Sequence, residues 1–138
     1  AYWRPEPCFA FRKILAEYAT ASADISDGLL ADVAHISNHI PGCATLNFDA
    51  LPFSIGAEFW ADNQEDPSGA RRELASFGDD YGVVFSAAGE NRQAIFDVAR
   101  NAKLKLTLVG SVLPGNGAVC VDVSGMAMDW RKLGYLHK

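Results

Sequence analysis

The chain has 138 residues, 49% of them apolar, which is enough for one domain with a real hydrophobic core and too short for two ordinary ones. Seventeen acidic against twelve basic residues give a net charge of −5 with no run of basic residues longer than a pair such as Arg71-Arg72, so a phosphate backbone would meet mainly repulsion and nucleic acid is excluded as a partner. No apolar run approaches the roughly 20 residues of a bilayer crossing, and the opening "AYWRPEPCF" lacks the basic-then-apolar order of a signal peptide. The expectation is a single cytoplasmic domain over residues 1–138, with no membrane association. Cys8, Cys43 and Cys120 show no C-x-x-C spacing and read as buried or half-buried thiols of a reducing compartment.

After the extended lead-in "RPEP", Phe11, Ile14, Leu15 and Tyr18 recur at helical spacing and define a first helix. Leu29, Val33, Ile36 and Ile40 define a second, which stops at Pro41-Gly42. "ATLNFD" alternates as a strand with Leu46 and Phe48 inward. Ser54 is placed to cap a short helix, "NQEDPSG" reads as a surface loop, and Ser68 is placed to cap a helix through "ARRELASF". "YGVVFSA" is a continuous apolar run, the pattern of a central strand covered on both faces. Ile95, Val98, Ala99 and Ala102 mark a further amphipathic helix, "KLTLVGSV" a strand, and "AVCVDV" with "MAMDW" a hairpin closed by Ser124-Gly125. Interleaved helices and strands without repeats predict an α+β or α/β sandwich, a mixed sheet with helices packed on it.

Two acidic stretches carry candidate chemistry. In "ADISDGLL" the carboxylates of Asp24 and Asp27 can converge if a strand ends near Ala23-Asp24-Ile25 and Ser26 or Asp27 caps the second helix. Hard oxygen donors on a short turn suit Mg²⁺, which keeps several waters and takes one or two carboxylates beside substrate phosphates. Ser26 can donate to a phosphate oxygen, and free backbone N–H groups at the helix start favour an anion. Simple helix capping by Ser26 or Asp27 explains the same residues. In "FGDDYGVVF", Asp79 and Asp80 stand where a loop meets a strand, a common place for ligands and also ordinary turn chemistry. His35 and His39 have the i, i+4 spacing of zinc ligands, but "HISNH" lacks the glutamate of H-E-x-x-H and no third ligand is evident, so they read as surface histidines. Trp3, Trp60 and Trp130 read as packing residues or tail anchors, and no P-loop or G-x-G-x-x-G motif is present.

In order along the chain, "RPEP", "ADISDGLLADVAHI", "LNFDALPFS", "FGDDYGVVFSA", "LVGSV" and "MDWRKLGYLH" resemble the C-terminal domain of the thiamine-monophosphate kinase family, within the superfamily of aminoimidazole ribonucleotide synthetase. The resemblance implies an ATP-dependent kinase that transfers the γ-phosphoryl group directly to thiamine monophosphate, giving thiamine diphosphate. It implies that Asp24 and Asp27 bind Mg²⁺, that Ser26 contacts ATP, and that Asp79 and Tyr135 hold thiamine phosphate. Asp80 joins them as a substrate-binding candidate by adjacency. It also implies a homodimer formed through an N-terminal ATP-binding domain absent from this chain, and hence no kinase turnover by the chain alone. The chain departs from the family pattern at Cys8, at Gly82-Val83-Val84 after the acidic pair, and at Lys138. Two other readings stand beside it: a sister enzyme of the superfamily with a different acceptor, and a non-catalytic binding module of the same fold.

Overall fold

The computed structural model describes residues 11–76 and 82–129. Helix α1 (Arg12–Tyr18) buries Ile14 and runs straight into strand β1 (Ala19–Asp24), where half-buried alanines alternate with exposed Thr20, Ser22 and Asp24. Helix α2 (Leu29–Ser37) buries Leu30, Val33 and Ile36, and ends before the expected Ile40. The Ser37 hydroxyl donates back to the Ala34 carbonyl at 2.6 Å in its last turn. Strand β2 (Cys43–Asn47) turns Ala44 and Leu46 inward, and Phe48 opens a single 3-10 turn.

Helix α3 (Ile55–Asp62) is capped as expected, with the Ser54 hydroxyl accepting from the Ala57 amide at 3.2 Å. Helix α4 (Pro67–Ser76) begins earlier than the sequence suggests. The Asp66 carboxylate, not Ser68, accepts the Gly69 amide at 2.9 Å, and Pro67 takes the first helical position, where its missing N–H costs nothing. Arg71 of α4 then bridges Glu58 (2.9 Å) and Asp62 (2.5 Å) of α3.

Strand β3 (Val83–Ala87) pairs antiparallel with β1, from Asp24 opposite Val83 to Ala19 opposite Ala87. Helix α5 (Arg92–Asn101) buries Ile95 and Ala99. Strand β4 (Gly110–Leu113) covers only the end of the expected "KLTLVGSV" strand, whose Leu106 packs instead beside α5. Strand β5 (Gly117–Val121) completes a mixed three-stranded sheet in the order β4-β2-β5, with β2 antiparallel to β4 and parallel to β5. The hairpin expected after it shrinks to one bridge between Val121 and Ala127. There the Asp122 carboxylate accepts from the Ser124 hydroxyl and from the amides of Ser124 and Met126, so a tight local turn replaces a ladder. Those bonds, the Ser124 hydroxyl first, hold the Asp122 carboxyl below its ordinary pKa.

The mixed sheet and its helices agree with the fold class read from the sequence, but β3 is not a central strand: among the described residues it has β1 as its ladder partner. Its apolar run has another cause. Val84 faces a main core built by α2, β2, Leu51, Ala75 and Cys120, while Phe85 and Ala87 face a second core of Ile14, Ile95 and Ala99. Strand β3 is therefore a partition between two cores and is apolar on both faces, whereas β1 is apolar on its alanine face and exposes Thr20, Ser22 and Asp24 on the other.

Gly110 marks the closest approach of β4 to β2, where a Cβ would run into the Thr45 carbonyl oxygen and crowd Leu46 Cα at 3.0 Å. Gly110→Ala is expected to cost about 2 kcal/mol in urea denaturation by overpacking, whereas Gly89→Ala, with open space around the added methyl group, is expected to be near neutral. Burial, reinforced by the negative charge of Asp49, pushes the Cys120 thiol up to about 11 from 9.0. A folded-state pKa above the unfolded one means the unfolded chain releases this proton first. Stability is therefore expected to fall as pH rises from about 9 towards 11, by up to about 1.4 kcal/mol per pH unit from this group, with Cys120→Ala flattening that slope in denaturation measured across the range.

Candidate functional site

Strand β1 delivers Asp24, exposed, to the end of the ribbon, and the Ile25 amide closes the ladder by donating to the Gly82 carbonyl at 2.9 Å. The chain then turns through Ser26, exposed, and Asp27, half-buried, to Gly28. Gly28 has φ 108°, and a Cβ on it would lie 2.5 Å from the Ser76 carbonyl oxygen, so only glycine fits between the turn and the end of α4.

The strand ends at Asp24 as the metal reading requires, but the capping does not follow the sequence expectation. Gly28 is the N-cap of α2 and receives no side-chain cap. Ser26 and Asp27 precede that position rather than occupy it. Instead Asp32, in the first turn of α2 and 4% exposed, reaches back: its Oδ2 accepts the Ser26 amide at 2.9 Å and the Asp27 amide at 3.2 Å. The Ser26 and Asp27 amides, just ahead of the helix start, are thereby committed to a carboxylate. Sequence reasoning missed Asp32, although a signal existed. It falls three after Leu29 and four before Ile36, on the apolar face, where a carboxylate must have hydrogen-bond donors.

Asp79, Asp80 and Tyr135 lie outside the described residues, as do Cys8, Trp3 and Trp130. Both residues that bound the 77–81 segment touch the first acidic turn: Ser76 against Gly28, and Gly82 through the Ile25 amide. Among the described residues no group of three or more His, Cys, Asp or Glu side chains is gathered as a metal centre. Asp24 and Asp27 present hard oxygen donors on a braced backbone, a donor set that fits Mg²⁺ if water or substrate oxygens complete the shell.

His35 on α2 and His39, two residues past its end, are both exposed. Cys43 is half-buried and Cys120 buried, both with free thiols. Trp60 is 43% exposed on α3 beside the more exposed Ile55 and Phe59. A small pocket of about 90 Å³, lined by Phe48, Asp49, Leu51, Phe53, Glu58 and Arg71, shares no residue with the 24–28 turn. Its guanidinium is already held by Glu58 and Asp62, which raise its pKa further. No described helix is long and apolar enough to cross a membrane.

No family model matches the chain. A thiamine-monophosphate kinase of Caulobacter vibrioides is 36% identical over 137 residues, 99% of this chain and 38% of that protein. The crystal structure of the thiamine-monophosphate kinase from Stenotrophomonas maltophilia K279a matches with TM-score 0.74 at 32% identity, covering 91% of this chain and 37% of the other. AaThiL complexed with AMPPCP and TMP matches with TM-score 0.70 at 26% identity, covering 96% of this chain and 39% of the other. The fold is thus that of the aminoimidazole ribonucleotide synthetase-like enzymes. The chain spans about two fifths of the length of the curated relatives it matches. Within that class it corresponds to the C-terminal part of thiamine-monophosphate kinases.

Because Gly28 has both a left-handed φ and no room for a methyl group, Gly28→Ala is expected to lower stability by about 2–3 kcal/mol. The expected chemical-shift changes are concentrated at residues 24–32 and 76 in an amide NMR spectrum, with α5 unmoved.

Proposed function

We propose that this chain is the substrate-contacting part of an ATP-dependent thiamine-monophosphate kinase, converting ATP and thiamine phosphate to ADP and thiamine diphosphate. The observation that carries the reading is the 36% identity to such a kinase over 99% of the chain. A relative of the same fold complexed with AMPPCP and TMP supports the choice of both substrates.

The physical problem is charge: ATP and a phosphate monoester repel each other and must be held in line. Asp24 and Asp27 hold Mg²⁺ between strand end and helix start, and Mg²⁺ when bound neutralises phosphate charge. The Ser26 hydroxyl donates to an ATP phosphate oxygen. Asp79, three residues beyond Ser76, and Tyr135 hold thiamine phosphate, the carboxylate complementing the cationic thiazolium and the ring stacking on it. Asp80 is the adjacent candidate in the same stretch. An N-terminal domain supplies the remaining nucleotide contacts and the homodimer interface, and the enzyme works in the cytoplasm. The exposed edge formed by Asp24 and Ser26 is the face such a domain would close.

The test is ADP release with Mg²⁺, ATP and thiamine monophosphate, using this chain joined to the N-terminal part of the Caulobacter vibrioides relative. Asp27→Asn is expected to lower kcat by roughly 100-fold or more, with the fold intact by circular dichroism. Unchanged turnover in that variant removes Asp27 from the metal site. A protein that binds Mg²⁺-ATP yet ignores thiamine monophosphate is a sister enzyme with another acceptor, and Gly82 is then the first position to examine.

A further inference from the structure

We infer that Asp32 is the positioning residue of this site, the tether that holds the Ser26-Asp27 backbone in the shape that presents the metal and phosphate contacts. The inference rests on the proposed role of that turn. Asp32 is one of two buried polar residues among those described, and Ser37, the other, serves only its own helix. No lysine or arginine pairs with Asp32 among the described residues. Its charge is met by the Ser26 and Asp27 amides, both directed at the same oxygen, at 2.9 and 3.2 Å. Its own amide donates to the Gly28 carbonyl at 3.0 Å. The turn is thus fastened by its first two amides and by its last carbonyl to a single residue of α2.

That arrangement separates two roles. If Asp32 acts as an acceptor, an asparagine, whose carbonyl oxygen can occupy the place of Oδ2, preserves the turn while removing the charge. Alanine removes the acceptor and leaves two amides unpaired. Partners that orient metal ligands without touching the metal typically change metal affinity by about 10–100-fold when removed.

The experiment uses the full chain, isotopically labelled, in two arms. In Mg²⁺-free buffer, amide exchange at Ser26 and Asp27 is measured by NMR, with the Val98 amide of α5 reporting global opening. Relative to Val98, Asp32→Ala is expected to speed exchange at both amides about tenfold or more, and Asp32→Asn by no more than about threefold. Where Asp32→Ala does not fold, Asp32→Ser, whose hydroxyl is too short to reach both amides, takes its place. In the second arm, Mg²⁺ titration is expected to show affinity weakened by about 10–100-fold in Asp32→Ala and by no more than about threefold in Asp32→Asn. Unchanged relative exchange in Asp32→Ala, or Asp32→Asn as damaging as Asp32→Ala in both arms, overturns the tether. Wild-type protein that binds no Mg²⁺ overturns the metal reading of the turn instead, and the exchange rates then decide the tether alone.

Discussion

A carboxylate cannot be buried without donors, and the way Asp32 finds them organises the junction of β1 and α2. The helix it belongs to could have been capped from outside by Ser26 or Asp27. Instead the bond runs the other way, from loop amides to a helix side chain. Gly28 completes the constraint by letting the Ser76 carbonyl approach where any side chain would collide. A polar turn between β1 and α2 is thereby pinned from two directions, by a charge beneath it and by a neighbouring helix end beside it.

The β1-β3 ribbon serves the same end on a larger scale. The two faces of its β3 strand pack on separate cores, Val84 towards α2 and the three-stranded sheet and Phe85 with Ala87 towards α1 and α5, while β1 joins the first through Ala21 and Ala23. A ribbon clamped this way is held more firmly than an isolated hairpin, which is marginal in water. The Ile25-Gly82 bond extends its ladder to the acidic turn, so the rigidity of both cores reaches the site. Loops placed on such scaffolds are where binding chemistry is usually found.

Much of this was legible in the chain itself. Periodicity located α1, α2 and α5 because each has a single apolar stripe, and Ser54 announced α3 because its hydroxyl does what capping chemistry requires. Where expectation and structure part, a local competitor explains it. Asp66 captured the start of α4 ahead of Ser68, and Asp122 drew in the donors a hairpin would have used. The status of β3 was hidden because an apolar run records burial on both faces, not the number of strand partners. At the acidic turn the helix start falls at Gly28, not at Ser26 or Asp27 as the cap preference suggests. A motif read by eye favours the residues nearest the helix start, whereas the acceptor lay inside the helix on its apolar face.

The pairing of Asp24 with Val83 has one further consequence, for how the protein acquires this site. The two strands are separated in sequence by α2, β2, α3 and α4, so their ladder closes only after a long stretch of chain has been drawn together. Contacts of such long range are entropically costly early in folding and are made late. Helices α2 and α4 can flicker into existence from their own sequences, but the turn between β1 and α2 acquires its neighbours Ser76 and Gly82 only when the ribbon zips. The acidic site is therefore a product of the final, cooperative stage of folding, and a partly folded chain carries the motif without its geometry.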